Sequence, residues 1–166
     1  MGHPGDVDAD PKNDPVPVRR IAEQDRGDWV RLRDELWPGS LADHEKETRR
    51  YFEKRLQLPV VFVAELDGRI VGFLELDFRK YAPGCSSSPV PFIEGWYVEA
   101  PLQRQGIGRA LIETAEAHAR RAGHHEIASD SEIDNADGIA AHRALGYDEV
   151  ERIVCFRRPL RDAPAG

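Results

Sequence analysis

The sequence predicts an α/β fold, a mixed sheet with helices on its faces, and three observations carry that expectation. Apolar, β-branched runs at residues 60–66 and 70–78 flank Asp67-Gly68, a strong two-residue hairpin turn. Amphipathic helical patterns lie both before and after this hairpin. The stretch Gln103-Arg104-Gln105-Gly106-Ile107-Gly108-Arg109 sits between an apolar run at residues 91–98 and a helical pattern that begins at Ala110. Apolar runs alternating with helices call for helices packed on a sheet.

The elements follow in order. Residues 1–17 are Gly, Pro, Asp and Asn with few apolar side chains, the composition of a disordered tail. Residues 18–22 alternate and read as the first strand. Asp25 is placed to N-cap a helix carrying Trp29, Leu32, Leu36 and Trp37 on one face, and Pro38-Gly39 ends it. A second helix runs from near Leu41 to about Leu58, dense in Glu and Arg on its polar face. The hairpin strands come next, then a loop rich in Pro, Gly and Ser over residues 81–89. The strand at 91–98 leads through the Gly-bearing turn into a helix that ends near Ala122-Gly123. Residues 126–129 form a short strand, Asp134 or Asn135 starts the last helix, and Gly146 ends it. Residues 147–158 read as one or two closing strands. The expected order is β-α-α-β-β-β-α-β-α-β-β, with one domain over 18–160 between tails at 1–17 and 161–166.

The turn at 103–109 is where chemistry is expected. Two glycines let backbone N–H groups approach a ligand with no Cβ in the way. The start of a helix adds unsatisfied donors and the positive end of its dipole. Arg104 and Arg109 add formal charge. Such a site takes a pyrophosphate or any phosphate. The spacing, Gln-x-x-Gly-x-Gly, fits neither the dinucleotide fingerprint nor a P-loop.

Composition bounds the rest. A chain of 166 residues, 40% hydrophobic and 32% charged, suits one globular domain. No apolar run approaches the roughly 20 residues that span a bilayer, and no signal-peptide pattern opens the chain, so a cytoplasmic protein without a membrane partner is expected. Cys85 and Cys155 are its two cysteines, so a disulfide framework is not expected. A net charge of −7 disfavours nucleic acid and suits a cationic substrate, or simply solubility. No cluster of His, Cys and acids has metal-ligand spacing, so no metal is expected.

The Gln-x-x-Gly-x-Gly turn resembles the pyrophosphate-binding motif of the GNAT superfamily of acyltransferases, and the element order is also that of the GNAT fold. Other stretches resemble the aminoglycoside 6′-N-acetyltransferase branch: Leu36-Trp37-Pro38-Gly39, Gly84-Cys85-Ser86-Ser87-Ser88-Pro89-Val90, Phe92-Ile93-Glu94-Gly95, Ala128-Ser129-Asp130-Ser131 and His142-Arg143-Ala144-Leu145-Gly146-Tyr147. The likeness covers about residues 18–158. One departure stands out: Ser86 occupies a position where the family pattern has an acidic residue. The resemblance implies acetyl-coenzyme A as donor, held by Gln103, Arg104, Gln105, Gly106, Ile107, Gly108 and Arg109, with Asn135 among the cofactor-binding residues. It implies a backbone N–H at Val98 facing the thioester oxygen, and places His142 where many GNAT enzymes carry the Tyr that protonates the departing thiolate. It also implies a homodimer, since family members often pair through their C-terminal strands.

An amine attacking a thioester must first lose a proton, so a carboxylate near it assists. Glu94, nine residues before Gln103 on the central strand, is the candidate catalytic group. A β-bulge near Gly95 would free backbone for the oxyanion. A polycationic sugar calls for carboxylates and an aromatic wall. Glu94, Asp130 and Glu149 are the carboxylate candidates, and Trp37 and Tyr81 the wall candidates. Asp130 could instead cap a turn, Trp37 could close the core, and Glu149 could be a plain surface charge. The expected activity is acetylation of the 6′-amine of aminoglycosides. The alternatives are a GNAT enzyme acting on another polyamine or a protein N-terminus, and a non-catalytic module that senses acetyl-coenzyme A.

Overall fold

A computed structural model describes residues 16–54 and 59–159. The two expected tails, apart from residues 16–17, and the end of the second helix lie outside the described residues. Val18–Arg20 forms β1 and pairs antiparallel with β2, Val60–Leu66. The Asp67-Gly68 turn has φ of 52° and 75° at its two residues, the left-handed pair that a tight hairpin needs. It joins β2 to β3, Arg69–Arg79, and β3 pairs antiparallel with β4, Val90–Val98. A two-residue strand β5, Ala128–Ser129, lies parallel to β4, and the sheet order is β1-β2-β3-β4-β5.

Alternation along the strands sorts side chains to two faces. On one face Val61, Val63, Ile70 and Phe73 pack with Trp29 and Leu32 of α1, Arg26–Leu36. Tyr51 and Phe52 of α2, Leu41–Lys54, close over Trp29 edge-on at 5.2 and 6.2 Å. On the other face α3, Ile107–Arg121, buries Ile107, Leu111, Ile112, Ala115 and Ala119, and Phe62 meets His118. Gly72 admits this helix: a Cβ there would lie 2.9 Å from the Tyr97 carbonyl and 3.3 Å from Leu111.

One charged group enters the first of these layers. Glu75 on β3 is 5% exposed and accepts from the Trp29 indole N–H at 2.9 Å and from Arg33 at 2.5 Å. Burial pushes its carboxyl up, against the pull of both donors. Arg33 also reaches Glu47 of α2 at 2.5 Å, so one guanidinium ties α1 to the sheet and to α2. Asp25 precedes α1 as expected but does not cap it with its side chain. Its carboxylate instead accepts from Ala22 N–H at 2.8 Å and from both terminal nitrogens of Arg19.

The chain divides into two compact units, the first ending at Asp130 and the second beginning at Ser131. In the second unit α4, Ala136–Ala144, is capped by Asn135, whose side-chain oxygen accepts from Gly138 N–H at 2.9 Å. Gly146, with φ of 88°, turns the chain out of that helix. The closing strands expected over residues 147–158 are not formed, and the five-stranded sheet is complete within the first unit. Apolar alternation marks which residues share a face, but a strand also needs a neighbour to take its N–H and C=O groups. Val150, Ile153, Val154 and Phe156 are 60 to 93% exposed.

Candidate functional site

The chemistry gathers along β4. Its ladder with β3 pairs Gly95 with Glu75 and Ile93 with Leu76, so Glu94 is the extra residue of a β-bulge. The bulge lies beside Gly95, where one would free backbone for the oxyanion. Glu94 is clasped by Arg79, the last residue of β3: Nε donates to one carboxylate oxygen at 2.8 Å and Nη2 to the other at 2.6 Å. The Arg79 guanidinium carbon lies over Phe92, 3.4 Å from the ring centre, and its Nη1 is 3.6 Å from the Asp130 carboxylate. Asp130 follows β5 directly and is 70% exposed at its side chain. Thus Glu94 and Asp130 come together as anticipated, but around a cation that sequence reasoning missed.

Trp37 lies against the same bulge. A Cβ on Gly95 would sit 2.5 Å from the tip of its indole, so only glycine lets the ring rest on the strand. Phe73 meets the ring edge-on at 6.2 Å, and Arg33 stacks at 5.1 Å from its centre. The ring is 36% exposed. It is therefore at once a lid on Phe73 and an aromatic surface one residue from Glu94. Tyr97, further along β4, donates its hydroxyl to Glu35 at 3.0 Å.

Beyond the bulge the ladder decides where backbone groups point. Glu99 N–H donates to the Val71 carbonyl at 3.0 Å. Bonded and non-bonded pairs alternate in an antiparallel ladder, so Val98, opposite Gly72, turns its N–H and C=O away from β3. Gln103 confirms the direction, since its Nε2 reaches the Val98 carbonyl at 2.9 Å. β5 covers only Phe92 and Ile93 on this side, so among the described residues no strand meets the Val98 N–H.

Glu99 anchors the exit. It accepts from Arg31 at 2.5 Å and from two nitrogens of Arg69 at 2.6 and 2.7 Å, and the Arg69 guanidinium leads in holding its carboxyl below the ordinary glutamate range. A single 3-10 turn, Ala100–Leu102, then carries the chain into the Gly-bearing loop. Arg104 at φ 62° and Gly106 at φ 86° fold the loop into a concave nest at the start of α3. Ala110 is the first residue of α3 to bond back, to the Gly106 carbonyl at 3.0 Å. The N–H groups of Gly106, Ile107 and Gly108 precede it and have no helical carbonyl to reach. A Cβ added to Gly106 would point into open space, while Gly108 is tight against Trp96, 3.0 Å from its ring. Arg109 lies on the first turn, 3.9 Å from Glu113, and Gln105 bonds back to the Pro101 carbonyl at 3.3 Å. This geometry fits a pyrophosphate: unspent donors and the positive end of the helix dipole lie where a Cβ at Gly106 would meet nothing within 4 Å, in a segment that also carries Arg104 and Arg109.

The remaining candidates are more dispersed. Tyr81 is exposed, just past β3. Ser86 has no acidic side chain of its own, yet a carboxylate reaches its position from elsewhere. Glu126 accepts from the N–H groups and hydroxyls of Ser86 and Ser87 at 2.6 to 3.2 Å, and Ser87 above all holds its pKa at about 2. In the second unit His142 is half-buried, and its Nδ1–H donates to the Gly138 carbonyl at 2.7 Å, which puts the proton of the neutral ring on Nδ1. Glu149 is paired with Arg143 and Arg152, its pKa held at about 2. Asn135 uses its carbonyl oxygen to cap α4.

Known proteins share this arrangement over most of their length. The Acetyltransferase (GNAT) family model matches residues 29–147. The chain is 40% identical over 146 residues to an aminoglycoside N(6′)-acetyltransferase type 1 of Klebsiella aerogenes, covering 86% of this chain and 96% of that protein. Its structure resembles that of aminoglycoside antibiotic 6′-N-acetyltransferase AAC(6′)-IG from Acinetobacter haemolyticus, with a TM-score of 0.81 and 33% identity over 88% of this chain and all (100%) of that one. It also resembles AAC(6′)-Iy in complex with the bisubstrate analogue CoA-S-monomethyl-acetylneamine, with a TM-score of 0.81 and 30% identity over 87% of this chain and 99% of that one. With its anion loop, its bulged central strand and a family match spanning most of its length, the chain belongs to the GNAT family of acetyltransferases.

Proposed function

We propose that this enzyme transfers the acetyl group of acetyl-coenzyme A directly to the 6′-amine of an aminoglycoside, an activity that confers antibiotic resistance. One observation carries the reading: a single strand presents a bulge carboxylate at Glu94 and an outward backbone N–H at Val98, then runs into an anion nest. The pyrophosphate of the donor lies on the N–H groups of residues 103–109, with Arg104 and Arg109 supplying charge. The thioester then runs back along β4, where the Val98 N–H stabilises the oxyanion. Glu94 takes the proton of the attacking amine, directly or through water. His142, as the imidazolium that keeps its Nδ1–H on the Gly138 carbonyl, gives its Nε2 proton to the thiolate, and Asn135 steadies the donor at the start of α4. Trp37 and Tyr81 wall the sugar, and Glu94, Asp130 and Glu149 receive its ammonium groups. The names of the relatives support the substrate class, and the analogue bound to AAC(6′)-Iy supports direct transfer between the two substrates.

We further read residues 18–160 as one catalytic domain in a cytoplasmic protein, consistent with the lack of a helix long and apolar enough to cross a membrane among the described residues. The exposed apolar side chains at 150–156 support our reading that the chain pairs with a second copy as a homodimer. The test is thiol release from acetyl-coenzyme A against a panel of aminoglycosides, polyamines and peptide N-termini, with the acetylated atom located by NMR. Acetyl transfer to a 6′-amine is the expected result. Transfer to the 3- or 2′-amine, or turnover confined to peptides or simple polyamines, would overturn the assignment. Donor binding without turnover would mark a sensor.

A further inference from the structure

We propose that Arg79 is the resident counter-cation of the amine site and sets how strongly that site holds the proton of its substrate. The inference rests on the acetyl-transfer reading above and adds to it a residue that governs charge. Arg79 satisfies both oxygens of Glu94, at 2.8 and 2.6 Å, and comes within 3.6 Å of Asp130. Its guanidinium carbon sits 3.4 Å from the centre of the Phe92 ring, which is buried and held in the ladder opposite Asp77. The guanidinium is charged at every pH an enzyme meets, so the cluster of two carboxylates and one guanidinium carries one net negative charge rather than two.

That difference matters because the nucleophile is a neutral amine. Each unbalanced carboxylate beside an ammonium attracts it and raises its pKa. A site with two unbalanced carboxylates would bind a polycation tightly and keep its amine protonated. With Arg79 in place, one ammonium neutralises the cluster, and the proton leaves more readily. The same cation weakens the attraction for additional ammonium groups. Arg79 thus trades affinity for reactivity, and its removal should shift the two in opposite directions.

The experiment compares wild type with Arg79→Gln and Arg79→Lys, and uses Arg120→Gln as a distant charge control on the exposed face of α3. Kanamycin is titrated calorimetrically in low salt without acetyl-coenzyme A, and kcat, KM and the pH profile are then measured with the donor present. Arg79→Gln should bind kanamycin about five- to tenfold more tightly, as expected for one unit charge removed at close range. Its KM should fall, its kcat at neutral pH should fall, and the acidic limb of kcat should move about one pH unit upward. Arg79→Lys should stay within about twofold of wild type in affinity, and Arg120→Gln should match wild type throughout. A folded Arg79→Gln protein with unchanged or weaker affinity, or with an unmoved acidic limb, would make Arg79 a structural brace and overturn the proposal. Should wild type bind no kanamycin, the substrate reading falls instead. Spermine then replaces kanamycin as the probe, and its affinity must rise by the same factor in Arg79→Gln or the counter-cation role fails too.

Discussion

Gly95→Ala should unseat Trp37 and do so measurably. The added Cβ would stand 2.5 Å from one indole carbon, 3.0 Å from the next and 3.4 Å from the Phe73 ring. Carbon atoms at rest sit about 3.5–4.0 Å apart, so the indole must withdraw by about 1 Å or more. It cannot slide freely, because Arg33 stacks on it at 5.1 Å and Phe73 backs it at 6.2 Å. Overpacking of this kind costs about 1–3 kcal/mol. For a chain of this size that corresponds to a fall in Tm of roughly 2–4 °C per kcal/mol. The expected loss is thus about 2–12 °C by calorimetry, with a change in tryptophan fluorescence and a rise in KM for the amine substrate. A double-mutant cycle isolates the contact. In a Trp37→Ala background the clash is gone, and Gly95→Ala should be neutral or gain about 0.5 kcal/mol from the stiffer unfolded chain. Equal Tm losses in both backgrounds would refute the contact, as would a single mutant with native fluorescence and native stability.

Three further outcomes follow. Gly106→Val places a β-branched residue at φ 86°, and titration with acetyl-coenzyme A should show at least a tenfold loss of affinity in a protein whose circular dichroism is native. Glu94→Gln keeps the shape of the side chain and removes the base, so kcat in steady-state assays should drop by roughly two orders of magnitude. Glu99 is held below its ordinary pKa by Arg69 and Arg31, so its contribution is complete above about 4.5 and lost as pH falls through the lower folded value. Urea melts should accordingly show Glu99→Gln less stable by about 2 kcal/mol at pH 7, with the gap closing below pH 4.

The parts of the fold that were legible in the sequence are those that local physics decides. Asp67-Gly68 takes positive φ wherever two strands meet across it, and the runs beside it become β2 and β3. Gly106 and Gly123, both at positive φ, bracket α3 almost as read. The bulge at Glu94 lies beside Gly95, and a glycine inside a strand often marks one. What stayed hidden depends on partners far along the chain. Arg79 finds Glu94 fifteen residues away, and nothing in the run at 70–78 distinguishes it from a charge that merely ends a strand. Trp37 settles on Gly95 because a strand distant in sequence lacks a Cβ there, a fact that helical periodicity cannot hold. The same limit explains residues 147–158: their apolar run is real, but pairing is a property of two segments, and the residues of one report only on that one.

That contrast also explains why β4 carries the site. A regular strand spends every other N–H and C=O on each neighbour and has nothing left for a ligand. β4 escapes this twice. The bulge takes Glu94 out of the ladder, so its side chain is aimed by Arg79 rather than by the pleat. Four residues on, past the short pairing with β5, the edge of the strand is left to Val98 and to the side chain of Gln103. At about 3.3 Å per residue those two points lie roughly 13 Å apart. In the reading proposed above, that span brings an amine held beside Glu94 and a thioester lying along the strand from the nest toward one meeting point. Shortening β4 by one residue between Gly95 and Val98 would turn the Val98 position toward β3 and close the open edge, because alternation leaves no intermediate direction. Such a deletion should therefore abolish turnover while the nest at 103–109 still binds the donor.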